Sequence, residues 1–357
     1  MNNIYYRHAH RSQEEIDIVA KRFELFDVSW IPKVFKQALG LTATSWVRPD
    51  SYGTIHVIYR VAVKEQSKQF LLRANCNIPA PEIEMKLEQL IAKKVTLLDV
   101  PVNHILHVDI SRKAFPFDFQ IQECLPGADL EDHFNGTKDD YDRMSFALGQ
   151  YVARLGEIEL DGFGRFDEDQ VKKENLIGMK KSFPEYIEVC LDDDLRFIAD
   201  SGIITVKTAK LIRKLFDQYR PVMNILRGTL VHHDLADHNF MHVKDRITGI
   251  FDWENAVSGD PVLDLASCPT WTTHFPREEK FLEGYRSVRA LPDHFGEKMQ
   301  IYRLRTMLWK MVFALRVGIL NEKRRQRFFD ALSPFGISDY HLWGRLSPLS
   351  SPSGKRR

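Results

Sequence analysis

The chain has 357 residues, of which 44% are hydrophobic and 28% are charged, and its formal net charge is +1. This composition is typical of a globular protein in water, and the length allows one large two-lobed domain or two ordinary ones. The balanced charge excludes the broad electrostatic attraction that nucleic acids and anionic membranes require, and no apolar run is long enough to span a bilayer.

The cysteines and the N-terminus indicate the cellular setting. The first eleven residues lack the apolar core of a signal peptide, and the cysteines are too widely spaced for a CxxC pair. We therefore expect a cytoplasmic protein, a monomer or weak dimer, with neither nucleic acid nor membrane as partner. The cysteines expected to be free thiols are Cys76, Cys124, Cys190 and Cys268.

The first third of the chain carries a helical segment followed by strand patterns. Ile16, Val19, Phe23 and Phe26 recur at helical spacing. Runs rich in β-branched and aromatic residues then alternate with polar turns. The predicted strands cover residues 45–47, 56–63, 69–73, 105–108 and 119–124, and a helix is predicted over 81–94.

Leu125-Pro126-Gly127 breaks this pattern, and the remainder is mainly helical. We predict helices over 141–157, 205–220 and 298–317, and a further helix capped by Asn321. The predicted organisation is a β-rich part, 1–124, a helical part, 125–345, and a Ser/Pro-rich disordered tail, 346–357.

A polar segment in the helical part predicts a β-hairpin beside an acidic loop. Asn239 and Asp252 are equidistant from the turn midpoint between Asp245 and Arg246, so an antiparallel ladder in that register places them opposite each other. There an amide oxygen and a carboxylate can share one Mg²⁺ ion. Asp234, upstream, is free to orient an attacking hydroxyl group and accept its proton, which is what phosphoryl transfer needs.

The order of motifs resembles the aminoglycoside phosphotransferase and choline kinase-like family. This resemblance implies an α+β, protein-kinase-like fold with a small β-rich N-lobe, a larger mainly helical C-lobe, and ATP and Mg²⁺ as cofactors. The chain departs from the family at His233, where glycine is usual, so strain is expected if that position has a positive φ. The matching motifs are His232-His233-Asp234, Asn239, Asp252-Trp253-Glu254, Gly259-Asp260-Pro261 and Asp264-Leu265-Ala266.

The resemblance also assigns roles in the N-lobe. It implies that Arg73 binds ATP phosphates and that Glu84 is its partner on the following helix, with Glu82 and Glu88 as alternatives. Ser51 and Thr54 are candidate phosphate contacts in the nucleotide-positioning hairpin. In the hinge-like run 121–124, the backbone carbonyl of Gln122 and the amide of Cys124 would face adenine. In the catalytic segment, we expect His232, Asp260 and Asp264 to be structural rather than reactive.

Small-molecule phosphorylation is the function that these features favour. The chain lacks the motif pairs and the long activation segment of protein kinases, which argues against a protein substrate. We predict a small-molecule acceptor, specifically a cationic, aminoglycoside-type antibiotic, because the helical region contains several acidic residues. Among them, we interpret Asp192-Asp193-Asp194 as a solvated surface rather than as an acceptor contact. The other acidic residues are Glu185, Glu188, Glu279 and Glu283.

Other functions remain open at this point. The aromatic residues Trp271, Phe275, Tyr285 and Trp309 would suit a choline-like or apolar acceptor, and sugars, homoserine and macrolides are accepted by relatives. A non-catalytic kinase-like binding module is disfavoured because the Asp234, Asn239 and Asp252 set is intact. A metallohydrolase is a distant alternative, with a cluster formed by His232, His233, Asp234, Asp237, His238 and His242.

Overall fold

The computed structural model describes residues 13–49, 56–75, 83–134, 136–271 and 275–337. The candidate phosphate contacts Ser51 and Thr54, the alternative Glu82 and the predicted tail all lie outside the described residues. Within the described ranges, no helix is both long enough and apolar enough to cross a membrane.

From residue 13 onward, three helices precede the first strand: α1 (Gln13–Ala20), α2 (Arg22–Leu25) and α3 (Trp30–Leu39). Helix α3 buries Ile31, Val34 and Phe35, whose spacing places them on one helical face. The helix ends at Gly40, which has a φ of 71°. Because glycine has no Cβ, it adopts this left-handed conformation at little cost.

The N-lobe sheet has five antiparallel strands in the spatial order β1-β2-β3-β5-β4. They are β1 (Ala43–Val47), β2 (Val57–Val63), β3 (Gln69–Asn75), β4 (Ile105–Asp109) and β5 (Asp118–Glu123), and helix α4 (Glu84–Val95) connects β3 to β4. An aromatic core joins the sheet to the preceding helices, since Phe35 meets Phe70 with ring centroids 6.0 Å apart and Phe26 meets Phe117 at 5.2 Å.

The C-lobe is mainly helical, as predicted. Its helices are α5 (Leu130–His133), α6 (Lys138–Leu155), α7 (Glu168–Lys172), α8 (Phe183–Ile187), α9 (Leu191–Asp200), α10 (Val206–Met223), α11 (Val262–Ser267), α12 (Glu278–Arg286), α13 (Phe295–Arg316) and α14 (Glu322–Leu332). The predicted caps are present, because the side chains of Thr205 and Asn321 accept hydrogen bonds from the amides of Thr208 and Arg324. Pro221, at which the sequence predicts the end of this helix, instead lies inside α10, two residues before its last residue.

Short strands carry the functional segments of the C-lobe. They are β6 (Ala128–Asp129), β7 (Glu159–Leu160), β8 (Phe163–Phe166), β9 (Gly178–Lys180), β10 (Gly228–Val231), β11 (Phe240–Val243), β12 (Arg246–Ile250) and β13 (Val257–Gly259). They form one sheet in the order β7-β10-β13-β8-β9 and another in the order β12-β11-β6. Several have only two to four residues, which is too short for an alternating pattern to reveal.

Two glycines allow the C-lobe helices α6 and α12 to pack closely. A Cβ atom on Gly149 would lie 2.0 Å from the carbonyl oxygen of Phe281, and one on Gly284 would lie 1.9 Å from that of Phe146. Only glycine fits at such a backbone approach. Helix α13 runs through the same core and buries both apolar residues and Arg305.

Candidate active site

The loop after β10 brings the predicted catalytic residue to the cleft. Both oxygens of the buried Asp264 carboxylate accept backbone amides, from His232 at 2.8 Å and from His233 at 2.7 Å. His233 has a φ of 68°, the left-handed conformation that glycine would adopt most easily. The expected strain at this position is therefore present, and the bonds from Asp264 hold the loop in place. Asp264 braces the loop, as predicted.

His232 and Asp260 also have structural roles. The imidazole of His232 meets the carbonyl oxygen of Phe251 at 3.1 Å through Nε2 and accepts the Asp234 amide at 3.3 Å through Nδ1. Burial lowers the pKa of His232 to about 4, so the ring is neutral near pH 7. Asp260 pairs with the Lys298 amine at 2.8 Å, inside the C-lobe core.

Asp234 is almost completely buried, with 7% of its surface exposed. Burial raises the pKa of its carboxyl group to about 6, although the nearby His238 and Lys310 act in the opposite direction. The side-chain amide of Asn255 donates to Oδ2 at 3.4 Å. Oδ1 has no hydrogen-bond partner within the described part of the chain. It is an acceptor atom suited to a substrate hydroxyl group.

The hairpin β11–β12 carries Asn239 and Asp252, but in a register one residue from the predicted one. A bulge lies between Met241 and His242, and the backbone amide of Phe251 donates to the Asn239 carbonyl at 3.2 Å. Asn239 therefore faces Phe251, and Asp252 follows the pair instead of lying opposite. The Asn239 side-chain nitrogen donates to the Asp234 carbonyl at 2.9 Å, which joins the two segments.

Arg73 connects the N-lobe to this hairpin. Its guanidinium group lies 2.6 Å from the Glu88 carboxylate on α4 and 3.7 Å from the Asp252 carboxylate. The alternative Glu88 is thus the partner, and the preference for Glu84 was wrong. Glu84 is one helical turn earlier and lies 3.7 Å from Arg165 of the C-lobe instead.

Three carboxylates gather beside Arg73. The ligand oxygens of Glu88, Asp252 and Glu254 all lie within 4.8 Å of one another. Burial and the neighbouring Glu254 carboxylate raise the pKa of Asp252 well above its usual range, and Arg73 opposes that rise. Oxygen ligands at this spacing fit a hard divalent cation such as Mg²⁺, which would remove their mutual repulsion. The sequence predicted no role for Glu254 beyond its place in the Asp252-Trp253-Glu254 motif.

The hinge prediction fails at Cys124. Its backbone amide donates to the carbonyl oxygen of Gln69 at 3.1 Å, so β3 already uses the donor that was expected to face adenine. Gln122 lies in β5, and its side-chain oxygen accepts hydrogen bonds from Asn103 at 2.7 Å and Gln120 at 2.9 Å.

Residues that sequence reasoning missed lie on the other side of the catalytic loop. The Lys310 amine donates to the Thr270 hydroxyl at 2.6 Å and lies 3.5 Å from the centre of the Trp271 ring. Burial holds the pKa of Lys310 well below its usual range, and the Asp234 carboxylate opposes that shift. Cys268, two residues before Thr270, bonds the Leu235 carbonyl next to Asp234. No motif signals this lysine, because it comes from the middle of α13.

The histidine cluster of the metallohydrolase alternative is not assembled. His232 packs on Trp253 with ring centroids 4.3 Å apart, and His233 packs on Trp309 at 5.1 Å, so both rings face the interior. Of the residues that the structure describes, the metal-compatible groups are the Glu88 cluster and a second one. The second group contains Glu131, Asp237 and His238.

This arrangement defines a phosphotransferase with a protein-kinase-like fold. It consists of two lobes, the Arg73–Glu88 pair, and the loop and hairpin that carry Asp234, Asn239 and Asp252. The model of the phosphotransferase enzyme family matches residues 48–295, which is more than half of the chain, and the chain belongs to this family. It is therefore a small-molecule phosphotransferase. The family resemblance and the two-lobed α+β fold predicted from the sequence are confirmed.

Solved structures share the fold at low sequence identity. The chain is similar to an aminoglycoside phosphotransferase, APH(4)-Ia, in ternary complex with AMP-PNP and hygromycin B, with 16% identity, a TM-score of 0.62, and coverage of 87% of this chain and 100% of that chain. A macrolide 2′-phosphotransferase from Brachybacterium faecium shares 17% identity with a TM-score of 0.56, over 86% of this chain and 98% of that chain. A protein named as a putative fructosamine-3-kinase, from Haemophilus somnus 129PT, shares 16% identity with a TM-score of 0.57, over 85% of this chain and 96% of that chain. No curated protein sequence matches the chain.

Proposed function

We propose that the protein transfers the γ-phosphoryl group of ATP to a hydroxyl group of a small molecule. The observation that carries this proposal is the position of Arg73, whose guanidinium group contacts Glu88 on α4 and Asp252 on the C-lobe hairpin. The guanidinium group of Arg73 thus joins the N-lobe part of the site, which suits a nucleotide, to the C-lobe hairpin, which suits a metal ion. Phosphoryl transfer needs this positioning and charge neutralisation more than it needs covalent chemistry.

Each remaining residue has a role in this proposal. Asp234 orients the acceptor hydroxyl group and takes its proton, and a pKa of about 6 suits a base that works near neutral pH. Asn239 and Asp252 hold Mg²⁺, which when bound neutralises charge on the ATP phosphates. Arg73 binds the phosphates, as the family resemblance implies.

For the acceptor we propose a cationic, aminoglycoside-type molecule, but on different residues from those first considered. Ion pairs with arginine already engage Glu188, Asp193 and Asp194, and three of the four aromatic residues are buried in the core. Support comes instead from Glu131 and Asp237, whose carboxylates lie next to the catalytic loop.

One observation favours a second candidate, a neutral acceptor. Lys310 lies close enough to Asp234 for their charges to interact, and a buried ammonium group there would repel a polycation. Neutral sugars and related uncharged metabolites belong to this second class. The balance between Lys310 and the carboxylates of Glu131 and Asp237 decides between the two candidates.

The test is acceptor-dependent ADP release with Mg²⁺ and ATP, measured across aminoglycosides, choline, neutral sugars, homoserine and macrolides. We expect turnover with an aminoglycoside, and a 10-fold or larger rise in its KM when Asp237 is changed to Asn. Turnover confined to neutral acceptors would overturn the cationic acceptor and leave the kinase chemistry intact. ADP release that no acceptor stimulates, together with a lack of nucleotide binding, would overturn the proposed function.

A further inference from the structure

His56 lies at the start of β2, on the side of the N-lobe sheet that faces the cleft. It is 6% exposed, and the register that pairs Val57 with Ala74 puts it beside Asn75, the last residue of β3. Its Nδ1 atom hydrogen-bonds the side-chain oxygen of Asn75, which is itself buried. The ring is therefore held by a neighbour on its own sheet.

The other ring nitrogen reaches across to the C-lobe. The Nε2 atom of His56 lies 3.9 Å from the Glu254 carboxylate, one of the three acidic groups beside Arg73. Arg73 and Asn75 are two residues apart on β3 and so share a face of the sheet. Arg73 makes a direct contact with Asp252, and Asn75 reaches Glu254 through His56. Two parallel connections thus run from one strand to the two ends of the Asp252-Trp253-Glu254 triplet.

The backbone of His56 is anchored from behind by the N-terminal helices. Arg22 is 9% exposed, and its Nε atom donates to the His56 carbonyl oxygen at 2.9 Å. Its Nη1 atom donates to the Val19 carbonyl at 2.8 Å. These helices precede residue 48, where the match to the family begins. The anchor therefore lies outside the part of the chain that the family model covers.

We propose that His56, fixed by Arg22, is a positioning residue that holds Glu254 and the β2 strand in place around the phosphates and metal of bound Mg·ATP. This inference rests on the proposed function. Nδ1 of the imidazole hydrogen-bonds Asn75 on the N-lobe sheet, and Nε2 faces the Glu254 carboxylate of the C-lobe at 3.9 Å, so the ring fills the space between the strand and the carboxylate. Without the His56 ring, the strand and Glu254 would become ordered only when the nucleotide binds. The entropy lost in that ordering would weaken nucleotide binding.

Two substitutions separate the two ring contacts. In His56→Asn the side-chain amide occupies the place of Nδ1 and keeps the Asn75 bond, but it is too short to reach Glu254. In His56→Gln the longer amide occupies the place of Nε2 and keeps the contact with Glu254. We expect H56N to raise the KM for ATP about 10-fold and to lose most of the Tm increase caused by Mg·ATP, with the acceptor KM unchanged. H56Q should stay within about twofold of the parent.

Two further variants complete the experiment. Arg22→Ala should change the KM for ATP in the same direction as H56N. Lys33→Ala is the matched control, because Lys33 lies on α3, also N-terminal to the sheet, and packs on Trp30, 4.6 Å from the ring centre. It should behave like the parent.

The outcomes distinguish this inference from the proposed function. If the parent binds Mg·ATP and H56N keeps the parental KM and Tm increase, His56 has no positioning role. If H56N and R22A lower only the Tm of the unliganded protein, their role is structural and the inference is wrong. Because the Tm measurement needs no acceptor, it decides the matter even if the acceptor proposal fails. A parent that does not bind Mg·ATP would overturn the proposed function and this inference together.

Discussion

At the scale of one residue, the carboxyl group of Asp234, which we propose as the base, is buried at a cost in stability. Its carboxyl group is buried, and its pKa is about 6, above the value of about 3.9 that an unfolded chain would show. The unfolded state therefore binds fewer protons between these two values, and stability falls as pH rises through that window. Above about pH 6 the folded protein carries the full penalty of a buried charge.

Asp234→Asn is predicted to lower kcat by roughly 10²–10⁴-fold and to leave the Tm increase caused by Mg·ATP intact. The same variant should raise the free energy of unfolding by about 1–3 kcal/mol at pH 8, an advantage that disappears below about pH 4. Steady-state kinetics and urea unfolding at the two pH values check both parts. Full turnover in this variant would show that the base is another group.

At this scale the sequence was informative about residue types but not about partners. The roles of His232, Asp260 and Asp264 followed from the motif, and the structure gives each the expected bonds. The choice between Glu84 and Glu88 could not be made, because residues four apart lie on the same face of a helix. The structure places Glu88, one turn after Glu84, next to Arg73.

At the scale of elements, helix α9 corrects the reading of the acidic run as a solvated surface. Asp192 and Asp193 are exposed, but Asp194 is 4% exposed and lies on the face that buries Leu191 and Leu195. Its carboxylate pairs at 2.8 Å with the fully buried Arg305 of α13. Helical periodicity could have identified Asp194 as inward-facing, but a partner 111 residues away leaves no local signal.

Asp194→Asn is predicted to destabilise the protein by about 3–5 kcal/mol, because it leaves the Arg305 cation buried without a carboxylate partner. Asp193→Asn is the matched control. It removes an exposed pair with Arg196, so the change should stay below about 1 kcal/mol. Chemical unfolding of both variants measures the difference. Equal effects would mean that the Arg305 pair does not hold α9 to α13.

The hairpin shows the same limit on sequence reasoning. Counting from the turn predicted the correct pair of strands, but Val243 pairs with Arg246, so the turn is centred one position before the predicted midpoint, and the bulge between Met241 and His242 makes up only part of that difference. The same two residues of β11 also pair with the neighbouring strand β6. Such contacts across the fold cannot be read from the hairpin sequence alone.

At the scale of the whole molecule, the site exists only where the two lobes meet. Arg73 comes from the N-lobe sheet, and Asp252 comes from the C-lobe hairpin. The β-rich first part and the helical remainder were predictable from periodicity, and the motif order predicted their meeting point. Trp271 was among the candidate acceptor contacts, but its contact with Lys310 was not predictable, because packing brings long-separated elements together there.

Asp252→Ala is predicted to abolish both activity and the Tm increase caused by Mg·ATP, since it removes the proposed metal ligand from the junction of the lobes. Asp245→Ala is the control on the same hairpin. Asp245 pairs with Arg143 at 2.6 Å at the exposed turn, far along the strands from Asp252. Thermal shift with and without Mg²⁺ compares the two. If the D252A variant responds to Mg·ATP like the parent, the metal lies elsewhere.

The N-terminal helices and helix α13 give this chain a folding unit larger than its region of family similarity. Phe26, Ile31, Val34 and Phe35 belong to the N-lobe core, yet they precede residue 48, and α13 begins where the matched region ends. A fragment cut at those two boundaries would leave large apolar surfaces without their covering helices. It would be prone to aggregate in expression, whereas a span that retains the N-terminal helices and α13 keeps those apolar surfaces covered.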